Sequence, residues 1–298
     1  MDFEQIMEKY SKEMVEYTEE MEPAFKAYVE EKRKIHSNIV ERLIAFYMFT
    51  SYLIDEGILK ENKENEPIMF LYLRSSLSLL GIHSCLKDGL VTEGAILLRS
   101  IFEIYVNLKL ILEKDTESRI NLYSEYRHID SWLMLKRKRK LLQDDLISQE
   151  RFNMTFTVEE AELIDAKYES IKVNYHPKIP YHWAWKIFKS GNKDRNPSIK
   201  SICAHLGIKK EYDDVYSTMS IVVHSSPLVD NFMKLNNRKT LVPIFNENIK
   251  SIGVYGLDIA GRILSEVVDY FKIVESEDLK NFTNAYVLVA MKEAGFIK

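Results

Sequence analysis

Two stretches, PIMFLYLRSSLSLLGIHSCL at residues 67–86 and GAILLRSIFEIYVNLKLIL at residues 94–112, are the most apolar windows of the chain and decide its fold class. Arg74 in the first and Arg99, Glu103 and Lys109 in the second stand at depths where a bilayer makes charge expensive, so both read as buried core helices. Outward from them, apolar spacing of three and four predicts helices over 36–55, 68–87, 91–113 and 117–149. Thr157 followed by Glu160 has the spacing of a capping box and predicts a helix over 158–172. Further helices are expected over 198–206, 212–224, 248–273 and 276–294. Leu241 to Phe245, around Pro243, reads as one short extended piece, and 173–197 has no regular pattern. With 10 Gly and 7 Pro, little material remains for a turn-rich β fold. The expectation is an all-α, multi-helix bundle.

At the N-terminus Phe3, Ile6, Met7, Tyr10, Met14, Tyr17 and Met21 form one stripe, predicting a long amphipathic helical arm to about residue 28, kinked or restarted at Pro23. The domain reading is an arm over 1–60 and a main helical domain over 61–298, or a single integrated domain. The stripe either packs on the body, recruits a protein partner or forms half of a homodimer contact. The acidic start lacks the basic-then-apolar order of an export signal. Cys85 and Cys203 lack the spacing of a redox or zinc motif and read as reduced thiols, so a cytoplasmic protein with no membrane partner is expected.

A formal net charge of -4 gives no global positive field for a phosphate backbone. The one concentrated cationic run is Lys136, Arg137, Lys138, Arg139 and Lys140, whose consecutive residues splay around a helix. It reads as a solvated face or as a contact to nucleic acid or an acidic partner. One Glu-x-x-His, Glu125 with His128, has no second copy, so no di-iron centre is expected. The phosphate-cradling, zinc-protease and nucleophile-elbow motifs do not occur. No metal and no cofactor are expected.

Arg99 and Glu103 are four apart on an apolar helix and share a face, as a buried pair or as two groups pointing into a cleft. Tyr216, Ser220 and His224 also follow at steps of four, and a histidine there either suits the helix dipole or moves a proton. If these faces meet, they offer a cation, a carboxylate and an imidazole, a set that suits metal-free phosphodiester cleavage or a silent polar network. Arg99, Glu103, Ser220 and His224 are therefore the candidate catalytic residues. Tyr216, Trp183 and His182 are the candidate ligand contacts, the last two within an aromatic segment of Tyr175, His176, Tyr181 and Trp185 that packs under a connection or stacks on bases.

Arg-Ser-Ile-Phe-Glu at 99–103, the Trp-containing stretch at 181–185 and Tyr-Ser-Thr-Met-Ser-Ile-Val-Val-His-Ser at 216–225 together resemble the bacterial domain of unknown function family 5677. The resemblance spans roughly residues 67–273. It implies a helical fold with polar residues at Arg99, Glu103, Ser220 and His224, and no reaction. A more distant likeness is to the HEPN ribonucleases, helical proteins of toxin and anti-phage systems that use an arginine and a histidine four to six residues apart. Lys200 with His205 is a lysine imitation of that pair. Two functions are thus expected: a binding or interaction protein with a polar pocket between the Arg99 and His224 helices, or a metal-independent ribonuclease in stress or phage defence. The corresponding ligands are a small anion or RNA.

Overall fold

The computed structural model describes residues 3–60, 65–176, 182–189, 196–219, 232–235, 238–241, 246 and 248–297. Its helices are α1 (Phe3–Ile35), α2 (Ser37–Asp55), α3 (Glu66–Lys87), α4 (Val91–Glu113), α5 (Thr116–Gln143), α6 (Gln149–Asn153), α7 (Val158–Ile171), α8 (Trp185–Phe188), α9 (Ile199–His205), α10 (Lys209–Glu211), α11 (Asn248–Tyr270) and α12 (Ser276–Glu293). The fold is an all-α bundle, as the apolar periodicity predicts. One antiparallel ribbon, β1 (Phe232–Leu235) with β2 (Arg238–Leu241), is added in the register Phe232 to Leu241. The chain divides into two compact units: Met1–Lys60, Leu71–Tyr105 and Lys210–Lys298 form the first, and Glu61–Phe70 with Val106–Lys209 the second.

In the first unit α11 packs against α2 and α12 and buries residues around most of its circumference, Ile249, Ile252, Leu257, Ile259, Ile263, Leu264 and Val268 among them. Small residues permit that approach. Gly253 faces Ile39 of α2, Gly256 faces Leu43, Leu79 and Ile82, and Gly261 faces Thr283 of α12. A bidentate pair from Arg42 to Glu293, at 2.5 and 2.6 Å, and a bond from the Tyr286 hydroxyl to the Arg42 carbonyl, at 2.9 Å, tie α2 to α12 at the surface. α3 is the one described helix long and apolar enough to cross a membrane. Within this protein its Leu71, Tyr72, Leu79, Ile82 and Leu86 are buried, and the Tyr72 hydroxyl donates to the Thr50 carbonyl at 3.1 Å.

The second unit is organised on α5, which packs against α6 and α7 around Leu135, Phe152, Phe156 and Ala161. Trp132 and Tyr168 stack at 3.7 Å with planes 3° apart, and Arg139 makes a bidentate pair with Asp165 at 2.8 and 3.0 Å. The capping box at the start of α7 is formed on both sides. Glu160 N–H donates to Thr157 Oγ1 at 3.1 Å, and Thr157 N–H donates to the Glu160 carboxylate at 2.8 Å.

Three boundaries differ from the sequence expectation. α1 continues through Pro23 to Ile35 instead of restarting there. α5 stops at Gln143, six residues early, because Asp145 adopts a left-handed conformation (φ 55°) that lets Asp145 N–H reach the Leu142 carbonyl and Leu146 N–H reach Leu141. Lys272 (φ 53°) ends α11 at Tyr270 in the same way, with Ile273 N–H on the Val268 carbonyl. The helix expected over 212–224 begins as a π-helical turn at Tyr212–Ser217, and its residues from 220 onward lie outside the described ones. Of the extended piece expected at 241–245, Leu241 ends β2 and the rest likewise lies outside.

Because a methyl group on Gly253 would collide with the Ile39 side chain, Gly253→Ala is expected to cost about 1–3 kcal/mol through overpacking. Urea denaturation measures it, and an unchanged midpoint would show that α2 and α11 are not in close contact there.

Candidate functional site

The first unit brings Arg99, Glu103 and Tyr216 together. α4 is apolar on its buried faces, with Leu98, Ile101, Phe102 and Tyr105 in the core, so the two charged residues one turn apart are set at the edge of that core. Arg99 Nη2 donates to the Tyr216 hydroxyl at 2.6 Å, and that hydroxyl donates to Glu103 Oε1 at 2.8 Å. Arg99 Nε lies 3.4 Å from the same carboxylate oxygen, and its guanidinium carbon sits 4.5 Å from the Tyr216 ring centroid. The side chains of Arg99 and Glu103 remain 32% and 41% exposed, so the cluster opens to solvent.

The π-helical turn explains how Tyr216 arrives there. Its wider winding stacks Tyr212 on Tyr216, with centroids 5.2 Å apart, while Tyr216 also packs on Phe102 at 5.8 Å. Such turns recur at functional sites. Burial, reinforced by the bond to Glu103 and opposed by Arg99, pushes the Tyr216 phenol up to about 12. It therefore stays protonated at neutral pH and serves as a fixed donor and acceptor, not as a base. Ser220 and His224, expected on the same face, lie outside the described residues.

Sequence spacing did not point to the polar groups that extend this neighbourhood. Arg262 of α11 pairs with Asp258 at 3.0 Å and with Glu211 at 3.4 Å, and it also bonds Tyr105 of α4. Glu211 directly precedes Tyr212. The available signal was a single arginine in the apolar run Ile259 to Val268, the same signature that marks Arg99 on α4.

In the second unit Trp183 is buried. Its indole N–H donates to Asn107 Oδ1 at 2.8 Å, and Tyr123 meets it edge-on at 5.4 Å. His182 Nδ1 accepts the Ala184 N–H at 3.1 Å, which requires that nitrogen to be unprotonated. Tyr175 donates to the Leu122 carbonyl at 2.9 Å, and His176 meets Trp185 edge-on. A further charged group, absent from the sequence-level candidates, joins Glu113 to His205 Nε2 at 3.0 Å and to Arg119 at 2.9 Å. Arg119 is 3% exposed and also donates to the Leu110 carbonyl. Burial works against the Glu113 carboxylate, yet the bonds from Arg119 and His205 hold it below the ordinary glutamate range.

In the basic run, Lys136 lies over the Trp132 ring at 4.9 Å and Arg139 is paired with Asp165. Among the described residues no three His, Cys, Asp or Glu side chains group to hold a metal ion.

Burial lowers the His182 imidazole to about 4, so the unfolded chain binds a proton more readily than the folded one below the ordinary histidine value of about 6.5. Stability is expected to fall as pH drops from about 6.5 towards 4, by about 2–3 kcal/mol from this group. Urea melts at pH 7 and 4.5 test this: His182→Gln should flatten the acid loss, and an unaltered slope would remove His182 as its cause.

No curated protein and no solved structure matches the chain. A family model matches residues 65–240, the span that holds Arg99, Glu103, Trp183 and Tyr216, and its description is a family of unknown function. On that match, which covers more than half of the sequence, the chain belongs to the DUF5677 family.

Proposed function

We propose that this is a cytoplasmic binding protein that receives a small anionic ligand at the Arg99–Tyr216–Glu103 cluster. The observation that carries the reading is the fixation of a partly exposed guanidinium by three separate contacts: the Tyr216 hydroxyl, the Tyr216 ring face and the Glu103 carboxylate. Fixing an arginine in advance removes much of the entropy that binding would otherwise cost. The hydrogen bond engages Nη2 and the ion pair lies on the Nε side, so among the described residues Nη1 keeps its donors for a planar carboxylate or phosphate. Glu103 offsets part of the positive charge and disfavours bulk multivalent anions, which leaves recognition to geometry. Cys203 is buried and burial raises the Cys85 thiol, so both cysteines stay as thiols, in keeping with a reducing compartment.

The metal-independent ribonuclease reading needs an imidazole beside the same cluster, and its candidate is His224. The described groups favour binding over chemistry, because the phenol at the centre holds its proton well above neutral pH.

Thermal melts with inorganic phosphate, acetate and adenosine monophosphate test the proposal. At 100 times its Kd a ligand adds about 2.7 kcal/mol of stability, which for a chain of this size raises Tm by roughly 5–10 °C. Arg99→Gln should abolish that rise, and Tyr216→Phe should reduce it. A rise that survives Arg99→Gln would sink the site assignment. Cleavage of end-labelled RNA in EDTA that is lost in His224→Ala would replace the binding reading with the nuclease one.

A further inference from the structure

The polar atoms that the Arg99 cluster leaves uncommitted define what fits on it, a reading that rests on the anion site proposed above. Both contacts to Glu103 converge on one oxygen, since Oε1 accepts the Tyr216 hydroxyl at 2.8 Å and lies 3.4 Å from Arg99 Nε. Among the described residues Oε2 has no partner. Arg99 Nη2 is spent on Tyr216, and Nη1 is likewise left with its donors. Two side chains one turn apart on α4 thus present donors and an acceptor next to each other, both partly open to solvent.

Neither group is loose. The Tyr216 hydroxyl bonds to both side chains, and its ring packs on the fully buried Phe102. Donors and an acceptor fixed before binding select a ligand by the layout of its own charges.

The signs narrow the class. A ligand with only negative charge is drawn to Arg99 and repelled by Glu103 on the same face, and a ligand with only positive charge meets the reverse. A neutral amide can bond to both groups, but it carries no charge of its own, and bonds between two ionised groups are shorter and stronger. A zwitterion gains from both charges at once. The close approach of the two side chains, 3.4 Å at Nε and Oε1, calls for opposite charges that are themselves close together, as they are when an ammonium and a carboxylate share one carbon. A zwitterion with its charges many bonds apart would have to fold back on itself and lose chain entropy.

We propose that the ligand of this site is a free α-amino acid, held by its carboxylate on Arg99 Nη1 and by its ammonium on Glu103 Oε2.

Thermal melts and calorimetric titrations of the full chain with glycine and the other common amino acids, one at a time, test this. At least one is expected to raise Tm, and its N-acetyl and carboxamide derivatives, each lacking one of the two charges, should bind more weakly by about tenfold or more. Glu103→Gln keeps the shape and the acceptor for Tyr216 but removes the charge. It should weaken the amino acid by about tenfold or more while leaving the N-acetyl derivative bound as well or better, an opposite response that a folding defect does not produce. Arg99→Gln should abolish both. Amino acids without effect, where phosphate or acetate still stabilises through Arg99, would overturn this inference and leave the anion site standing. No effect from any of them would remove both. An N-acetyl derivative or acetamide that binds as tightly as the amino acid would also overturn it, as would amino-acid binding untouched by Glu103→Gln.

Discussion

A polar group on a buried helix has to find a partner inside the protein, and on α4 that requirement organises much of the rest of the chain. Its burial removes water from most of its circumference, and an unpaired charge or amide there would cost several kcal/mol. Arg99 and Glu103 meet Tyr216, Asn107 meets Trp183, and Glu113 meets Arg119 and His205. Arg99, Glu103 and Asn107 follow at steps of four and so share one face of the helix. Apart from Arg119, six residues from Glu113, each partner lies in a segment distant in sequence, and three of those partners are aromatic or imidazole groups that bury apolar surface as they satisfy the polar atom.

These pairings are not equivalent. Trp183 with Asn107 is a neutral bond between a buried ring and a half-buried amide. Arg119, almost wholly buried, divides its donors between a carboxylate and a backbone carbonyl and serves to hold the end of α4 to the start of α5. Arg99 differs in that it is fixed as firmly but left a third exposed. A cation that only had to be neutralised would be satisfied by Glu103, one turn away on its own helix. The added Tyr216 contact is made from within a π-helical turn, an uncommon winding that recurs at functional sites.

How far this was legible in the sequence follows from the range of each interaction. α4 was read to its last residue at both ends, and the capping box at Thr157 and Glu160 was read from three-residue spacing, because both depend on neighbours within a turn or two. The ends of α5 and α11 were overrun because Asp145 and Lys272 take the left-handed position usually held by glycine, and nothing local marks an aspartate or lysine for that conformation. Of the site, Arg99, Glu103 and Tyr216 were visible as polar residues on apolar faces. That Tyr216 is the one to bridge the other two was not, since it depends on a winding that the four-residue spacing assumed to be regular. Trp183 was singled out for its ring, and its bond to Asn107 links residues 76 apart, which no local pattern encodes.

α1 shows the opposite limit. Its seam is the most regular pattern in the chain, yet regularity alone says only that some helix face or core is needed. Exposure varies along it, since the same repeat is buried at Met21 and exposed at Met14. The seven-residue period runs to either side of Met21 without a break, whereas burial along it changes from residue to residue, so periodicity locates the helix and its apolar face but not how much of that face the core takes up.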